Sequence, residues 1–147
     1  MPRSKTNPKA ELDRLVAAFF RAVSFETGAP AYEDLPALFL DRALLIKNTG
    51  SAPEVTSVAE FIEPRKALVA SGTLTRFQEA EVSETTQVFG NVAQRFSVYT
   101  KSGVSGGAAF EARGMITTQF VMTPGGWRMS AMAWDDERPG LSVKAGT

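Results

Sequence analysis

The 147-residue chain has no cysteine and no histidine. The first absence excludes disulfides, thiol nucleophiles and thiolate metal sites. The second removes the commonest metal ligand and the usual general base near neutral pH. It also leaves Ser97 and Ser130 without the base a serine triad needs. Charge of one sign is missing too, since 16 Lys and Arg balance 16 Asp and Glu. No partnership with nucleic acid or with an anionic membrane surface is expected from that balance. Long apolar runs are absent: the longest, Leu15 to Phe20, is six residues, against the roughly 20 of a membrane span. Met1 to Lys9 is polar and basic without the apolar centre of a signal peptide, so a cytoplasmic location is expected. There are no internal repeats and no low-complexity tract.

What is present fits one ordinary domain, with 44% apolar and 22% charged residues. The expected organisation is a flexible tail over 1–8, a single domain over 9–140 and a C-terminal tail over 141–147. Leu12, Leu15, Val16, Phe19, Phe20 and Val23 recur at helical spacing and predict a helix from Glu11 to about Phe25, stopped by Gly28-Ala29-Pro30. A shorter helix is predicted over Asp34–Leu40, then a short strand over Ala43–Lys47. Ser57-Val58-Ala59-Glu60 is a capping box and predicts a third helix to about Ser71, kinked or split at Pro64. From Thr73 onward the period becomes two. Strands are predicted within 74–86, 93–101, 109–123 and 127–134. Pro124-Gly125-Gly126 is the clearest hairpin turn, and Ser102–Ala108, with Gly103, Gly106 and Gly107, reads as a mobile loop. Helices followed by an antiparallel meander predict an α+β fold, with helices over one face of a curved sheet.

This order resembles that of the nuclear transport factor 2-like superfamily, with Trp127-Arg128-Met129 in the last strand and the ending Trp134-Asp135-Asp136-Glu137-Arg138-Pro139-Gly140. Within it the chain is similar to the SnoaL-like branch called domain of unknown function 4440. Gly90-Asn91-Val92-Ala93-Gln94-Arg95-Phe96-Ser97-Val98-Tyr99 and Ala112-Arg113-Gly114 carry that likeness. The resemblance covers roughly Glu11 to Gly140. It implies a cone-shaped α+β barrel of three N-terminal helices on a curved, mostly antiparallel sheet. It also implies a pocket between the two layers and usually a homodimer. Relatives include ketosteroid isomerases, scytalone dehydratase, polyketide cyclases and plain binding modules, so the fold alone does not decide function.

The isomerase pattern of Tyr donor, Asp base and Asp donor falls approximately on Phe19, Lys47 and Thr118. Phe19 has no hydrogen-bonding group and Lys47 the wrong charge for a base, so the chain departs from that route at both, while Thr118 could donate weakly. The dehydratase pattern needs histidine. The cyclase acid or base falls on Asp135, with Trp134 or Asp136 replacing it if the register slips by one residue. Strand alternation puts Trp127, Met129, Ala131, Ala133 and Asp135 on one face. The superfamily alignment turns Arg95, Ser97 and Tyr99 inward and leaves Phe96 and Val98 on the convex side, as an expected dimer surface. The expected pocket holds Phe19, Lys47, Arg95, Ser97, Tyr99, Ile116, Thr118, Phe120, Ala131 and Ala133, with Asp135 at its mouth as the catalytic candidate.

No metal and no cofactor is expected. Glu79 and Glu81 face the same way on one strand and lack His partners. Gly103-Val104-Ser105-Gly106-Gly107 lacks the following helix of a phosphate loop. Two readings follow. The first is a small-molecule-binding pocket, with a cofactor-free lyase, isomerase or cyclase activity on a carbonyl or acidic compound. The second is a non-catalytic homodimeric module whose pocket is filled by its own side chains. An open cavity favours the first; an Arg95 pairing with Glu79 or Glu81, and packed aromatics, favour the second.

Overall fold

Helix α1, Pro8–Val23, is built as its spacing predicts: Leu12, Val16, Phe19, Phe20 and Val23 are buried on one stripe. Asn7 caps it by accepting the Lys9 amide, and Pro8 occupies its first turn. The computed structural model describes residues 7–143. Most of the tail expected over 1–8, and the last four residues of the tail expected over 141–147, lie outside the described residues.

The middle helical segment is a pair of single 3-10 turns, Tyr32–Asp34 and Pro36–Leu38, rather than one helix over Asp34–Leu40. Pro36 has no amide hydrogen to continue the first turn. Strand β1 therefore begins early, at Phe39, and runs to Lys47. A three-residue strand β2, Glu54–Thr56, follows. Helix α2, Val58–Ala70, has both halves of its capping box: Glu60 N–H donates to Ser57 Oγ and Ser57 N–H to Glu60 Oε1. Pro64 does not split it. The helix runs through at the loss of one backbone hydrogen bond.

The rest is a meander of β3 (Leu74–Phe89), β4 (Val92–Ser105), β5 (Ala108–Thr123) and β6 (Gly126–Asp136). The six strands lie in the order β2-β1-β6-β5-β4-β3, antiparallel except where β1 runs beside β6. The loop expected over Ser102–Ala108 is instead a tight hairpin. β4 and β5 pair as far as Ser105 and Ala108, and Gly106 and Gly107 take left-handed φ of 59° and 80°. The core lies between the concave face of this sheet and the two α-helices.

Two irregularities decide what faces that core. Gln119 pairs with Ala131 but Phe120 pairs with Met129, so Ser130 is an extra residue in β6. Before this bulge Trp127 and Met129 point inward; after it Met132, Trp134 and Asp136 do, opposite the inward residues Thr118, Ile116 and Gly114. Ala131, Ala133 and Asp135 are thereby turned to the convex face. The second is Gly114, which lies opposite Tyr99; a Cβ there would collide with the Tyr99 hydroxyl and the Asp135 carbonyl. Gly114→Ala is expected to lower unfolding free energy by about 1–3 kcal/mol, as overpacking does, measured by urea denaturation.

Candidate functional site

A cavity of about 370 Å³ opens between α1, α2 and the concave sheet, within the range of small-ligand sites. Aromatic rings form much of its wall. Phe61 meets Trp134 edge-on with centroids 5.9 Å apart, and Phe77 lies 6.2 Å from Phe110. Its polar groups are few: Tyr32, Lys47, Glu54, Arg65, Glu79 and Lys101, with Ser105 at one side.

Glu79 is the least ordinary of these. Its backbone is stitched to the end of α1, where Glu79 N–H donates to Ser24 Oγ at 3.1 Å while Ser24 Oγ donates to the Phe20 carbonyl at 2.7 Å. Glu79 lines this cavity and two more open hollows beside it, and among the described residues nothing hydrogen-bonds or ion-pairs its carboxylate. Burial pushes its pKa up to about 7, against the pull of Lys101 and Arg65 and with the push of Asp136.

Arg65 reaches the cavity from α2, with its guanidinium carbon 3.7 Å from the Phe61 ring centre and Nη1–H donating to the Phe61 carbonyl at 2.8 Å. It has no carboxylate partner among the described residues, and burial lowers its pKa. Lys101 is held by Asp136, Nζ to Oδ1 at 3.1 Å. Tyr99 donates its hydroxyl proton to the same carboxylate, and burial with that bond pushes its pKa up.

Of the residues expected in the pocket, Phe19, Lys47 and Ile116 line this cavity. Arg95 and Ser97 face the concave side but belong elsewhere. Arg95, 3% exposed, makes two bonds to Glu81 at 3.0 and 2.6 Å and one to Asp13 at 2.6 Å, and Ser97 Oγ donates to Glu81 at 2.7 Å. This cluster ties α1 to β3. Burial opposes the charge on Arg95, but the bonds to Glu81 and Asp13 raise its pKa. Tyr99 is fully buried beneath Asp136, and Thr118 and Phe120 lie within the core, off the cavity wall.

Ala131 and Ala133 are on the convex side because of the Ser130 bulge. Asp135 is there too, paired with Arg138 at 2.8 Å. It therefore faces away from the cavity, and the aspartate turned inward is Asp136. Phe96 is 46% exposed on the convex face, whereas Val98 is 2% exposed and already covered within the chain.

From sequence, Glu79 is expected as a cross-strand partner for Arg95 or as half of a metal pair. Of the two glutamates, Glu81 takes the Arg95 role, since it lies opposite Tyr99 and two residues nearer Arg95, whereas Glu79 lies opposite Lys101. The signal in the sequence was the Glu79–Lys101 placement across neighbouring strands. Its meaning depended on Asp136, whose direction the Ser130 bulge reverses.

The fold is shared with solved structures. A nuclear transport factor 2-like superfamily protein of Salmonella enterica serovar Typhimurium superposes with a TM-score of 0.70 at 14% identity, covering 95% of both chains. The fold is NTF2-like. An NTF2-like protein of Cytophaga hutchinsonii aligns over 90% of this chain and all of its own, at 14% identity and a TM-score of 0.70. A protein of Novosphingobium aromaticivorans described as a candidate aromatic ring hydroxylase gives a TM-score of 0.74 at 16% identity, covering 93% and 94%. At such identities the NTF2-like likeness carries the fold and no activity. No family model matches the chain, and no curated protein is significantly similar to it. Among the described residues, no helix is long and apolar enough to cross a membrane.

Proposed function

We propose that this chain, whose motifs quoted above resemble the SnoaL-like branch, binds a small apolar compound bearing a carbonyl or acidic group. In this reading it moves a proton on that compound without a cofactor, and Glu79 replaces Asp135 as the acid–base group. The observation that carries this is the Glu79 carboxyl lining an aromatic-walled cavity with no counter-ion bonded to it among the described residues. A carboxyl titrating near neutrality is suited to take and return protons at working pH.

The chemistry follows from Glu79 and Arg65, neither of which is ion-paired among the described residues. Ionised Glu79 takes a proton from carbon beside the ligand's carbonyl, and the electron pair of that C–H bond moves to the carbonyl oxygen. Arg65 is suited to hold the resulting oxyanion, since its charge is stronger in an apolar surround than in water. Protonated Glu79 then returns the proton to another carbon of the same compound or to a departing oxygen. Lys47, also on the cavity wall, adds positive potential to that of Arg65, which favours an acidic ligand over a basic one.

The test is a thermal-shift screen of carboxylates, small ketones, steroids and aromatic polyketide mimics. Binding to the native state alone stabilises by about 2.7 kcal/mol at a hundredfold excess over Kd. A hit confined to carbonyl or acidic compounds and lost in Arg65→Met supports the reading. Hits indifferent to Arg65→Met count against it. The alternative, a non-catalytic module, draws support from the Arg95–Glu81 bridge and the packed rings. The open cavity beside Glu79 favours the first reading over a self-filled pocket.

We also propose a second copy of this chain as the partner. The convex face of β3–β5 presents Thr85, Gln87, Gln94, Phe96, Thr117 and Gln119, a ladder without charge. Phe96 is central and half exposed. Phe96→Asp is expected to leave a monomer at micromolar concentration by analytical ultracentrifugation; a variant that remains dimeric excludes this face.

A further inference from the structure

Glu79 and Lys101 are register partners across β3 and β4 and share the concave face. Side chains so placed are about 4.5–5.5 Å apart at Cβ, and a Glu opposite a Lys would ordinarily form an ion pair. Here they do not. Lys101 Nζ lies 3.1 Å from Asp136 Oδ1, and no Glu79–Lys101 pair forms.

We infer that Asp136 is a positioning residue that captures the Lys101 ammonium and so keeps it off the Glu79 carboxylate, leaving Glu79 free to exchange protons with a ligand. The inference rests on the reading of Glu79 as the acid–base group. Several features of the fold serve the same arrangement. The Ser130 bulge turns Asp136 inward, opposite Gly114. Gly114 leaves the space that the Tyr99 hydroxyl fills. That hydroxyl donates to Asp136 and anchors it, and the Lys101 ammonium passes 5.6 Å from the Tyr99 ring centre. Burial disfavours the charge on Glu79, and the Asp136 charge adds to that effect, while Arg65 from α2 and Lys101 from β4 oppose it. Tyr32, Lys47 and Glu54 complete the titratable groups around the cavity.

The test is a carbon-detected NMR titration of glutamate carboxyls, with Glu79 assigned by the signal lost in Glu79→Gln. Asp136→Asn frees Lys101 to pair with Glu79, so the Glu79 midpoint should fall by about one pH unit or more. Lys101→Gln should raise the midpoint strongly in the Asp136→Asn background and much less in the wild type. An unchanged midpoint in Asp136→Asn, or equal increments in the two backgrounds, overturns the inference. Equal increments would mean that Asp136 acts on Glu79 by direct repulsion only. Should Asp136→Asn fail to fold, Tyr99→Phe carries the test. It loosens the anchor while keeping the ring, and a lowered midpoint supports the inference where an unchanged one overturns it. A wild-type midpoint in the ordinary carboxylate range would refute the reading of Glu79 itself. A wild-type midpoint near neutrality with unmoved variants refutes only the role of Asp136.

Discussion

Glu79→Gln is expected to make the protein more stable at pH 8 by about 2 kcal/mol, and by progressively less toward pH 5. The sign follows from the raised pKa. Folded Glu79 titrates near 7 rather than at the ordinary 4.5, so between these values the native state binds more protons than the unfolded chain. Stability therefore falls as pH rises through that window, and above it the folded protein carries an ionised carboxylate in an apolar cavity. Full conversion of the shift would give about 3 kcal/mol; the open cavity lets water in and reduces it. Glutamine keeps the shape without the charge. Urea denaturation of both proteins at pH 5 and pH 8 measures the difference. A variant less stable than the wild type at pH 8 would mean that Glu79 is paired in solution and serves the fold. Such a destabilising carboxylate has no structural use, which is the reason for assigning it a chemical one.

Arg95→Ala is expected to destabilise by about 3 kcal/mol, because it leaves Glu81 and Ser97 beneath α1 without their cation. The cost is set below that of a fully buried pair, since Asp13 is about half exposed. The acid side of the stability profile should change as well. Burial works against ionisation of Asp13, but its bonds to Arg95 and Lys9 hold its pKa below the usual range. Its stabilising contribution is present above that range and lost as pH falls through the lowered value. Without Arg95 much of that acid dependence should disappear. Denaturation curves at pH 3.5 and pH 7 check both effects. Loss of ligand binding with unchanged stability would return Arg95 to the pocket.

The fold was legible because its strongest signals are local. The apolar stripe of α1, the Ser57–Glu60 capping box and the turn residues around Pro124 each act within one element and survive into the structure unaltered. Phe19 and Lys47 were placed at the cavity by the superfamily pattern and Ile116 by strand alternation, and all three line it, although β1 shifts register against β6 between Phe39 and Leu44. The chemistry was hidden by a single-residue irregularity and by the partners that strands meet. A period-two reading carries Ala131, Ala133 and Asp135 to the face of Trp127, and one extra residue at Ser130 reverses every position after it. Glu79 and Glu81 share one face of β3, and only their partners on β4, Lys101 and Tyr99, distinguish the one that does not meet Arg95 from the one that does. Bulges and partners of this kind depend on pairing between strands distant in the chain, which no local pattern records. The two-glycine turn at Gly106-Gly107 was hidden differently. Composition suggests looseness there, yet glycines at positive φ make the tightest of hairpins.

The account stands on one ionisable group in one cavity. Its most direct test is the NMR titration of the Glu79 carboxyl in the unmodified protein, repeated with whichever compound the thermal screen selects. The account predicts a midpoint near 7 that moves when the compound binds. A midpoint near the ordinary 4.5, unmoved by any bound compound, would contradict it and leave this chain without an acid–base group in its cavity.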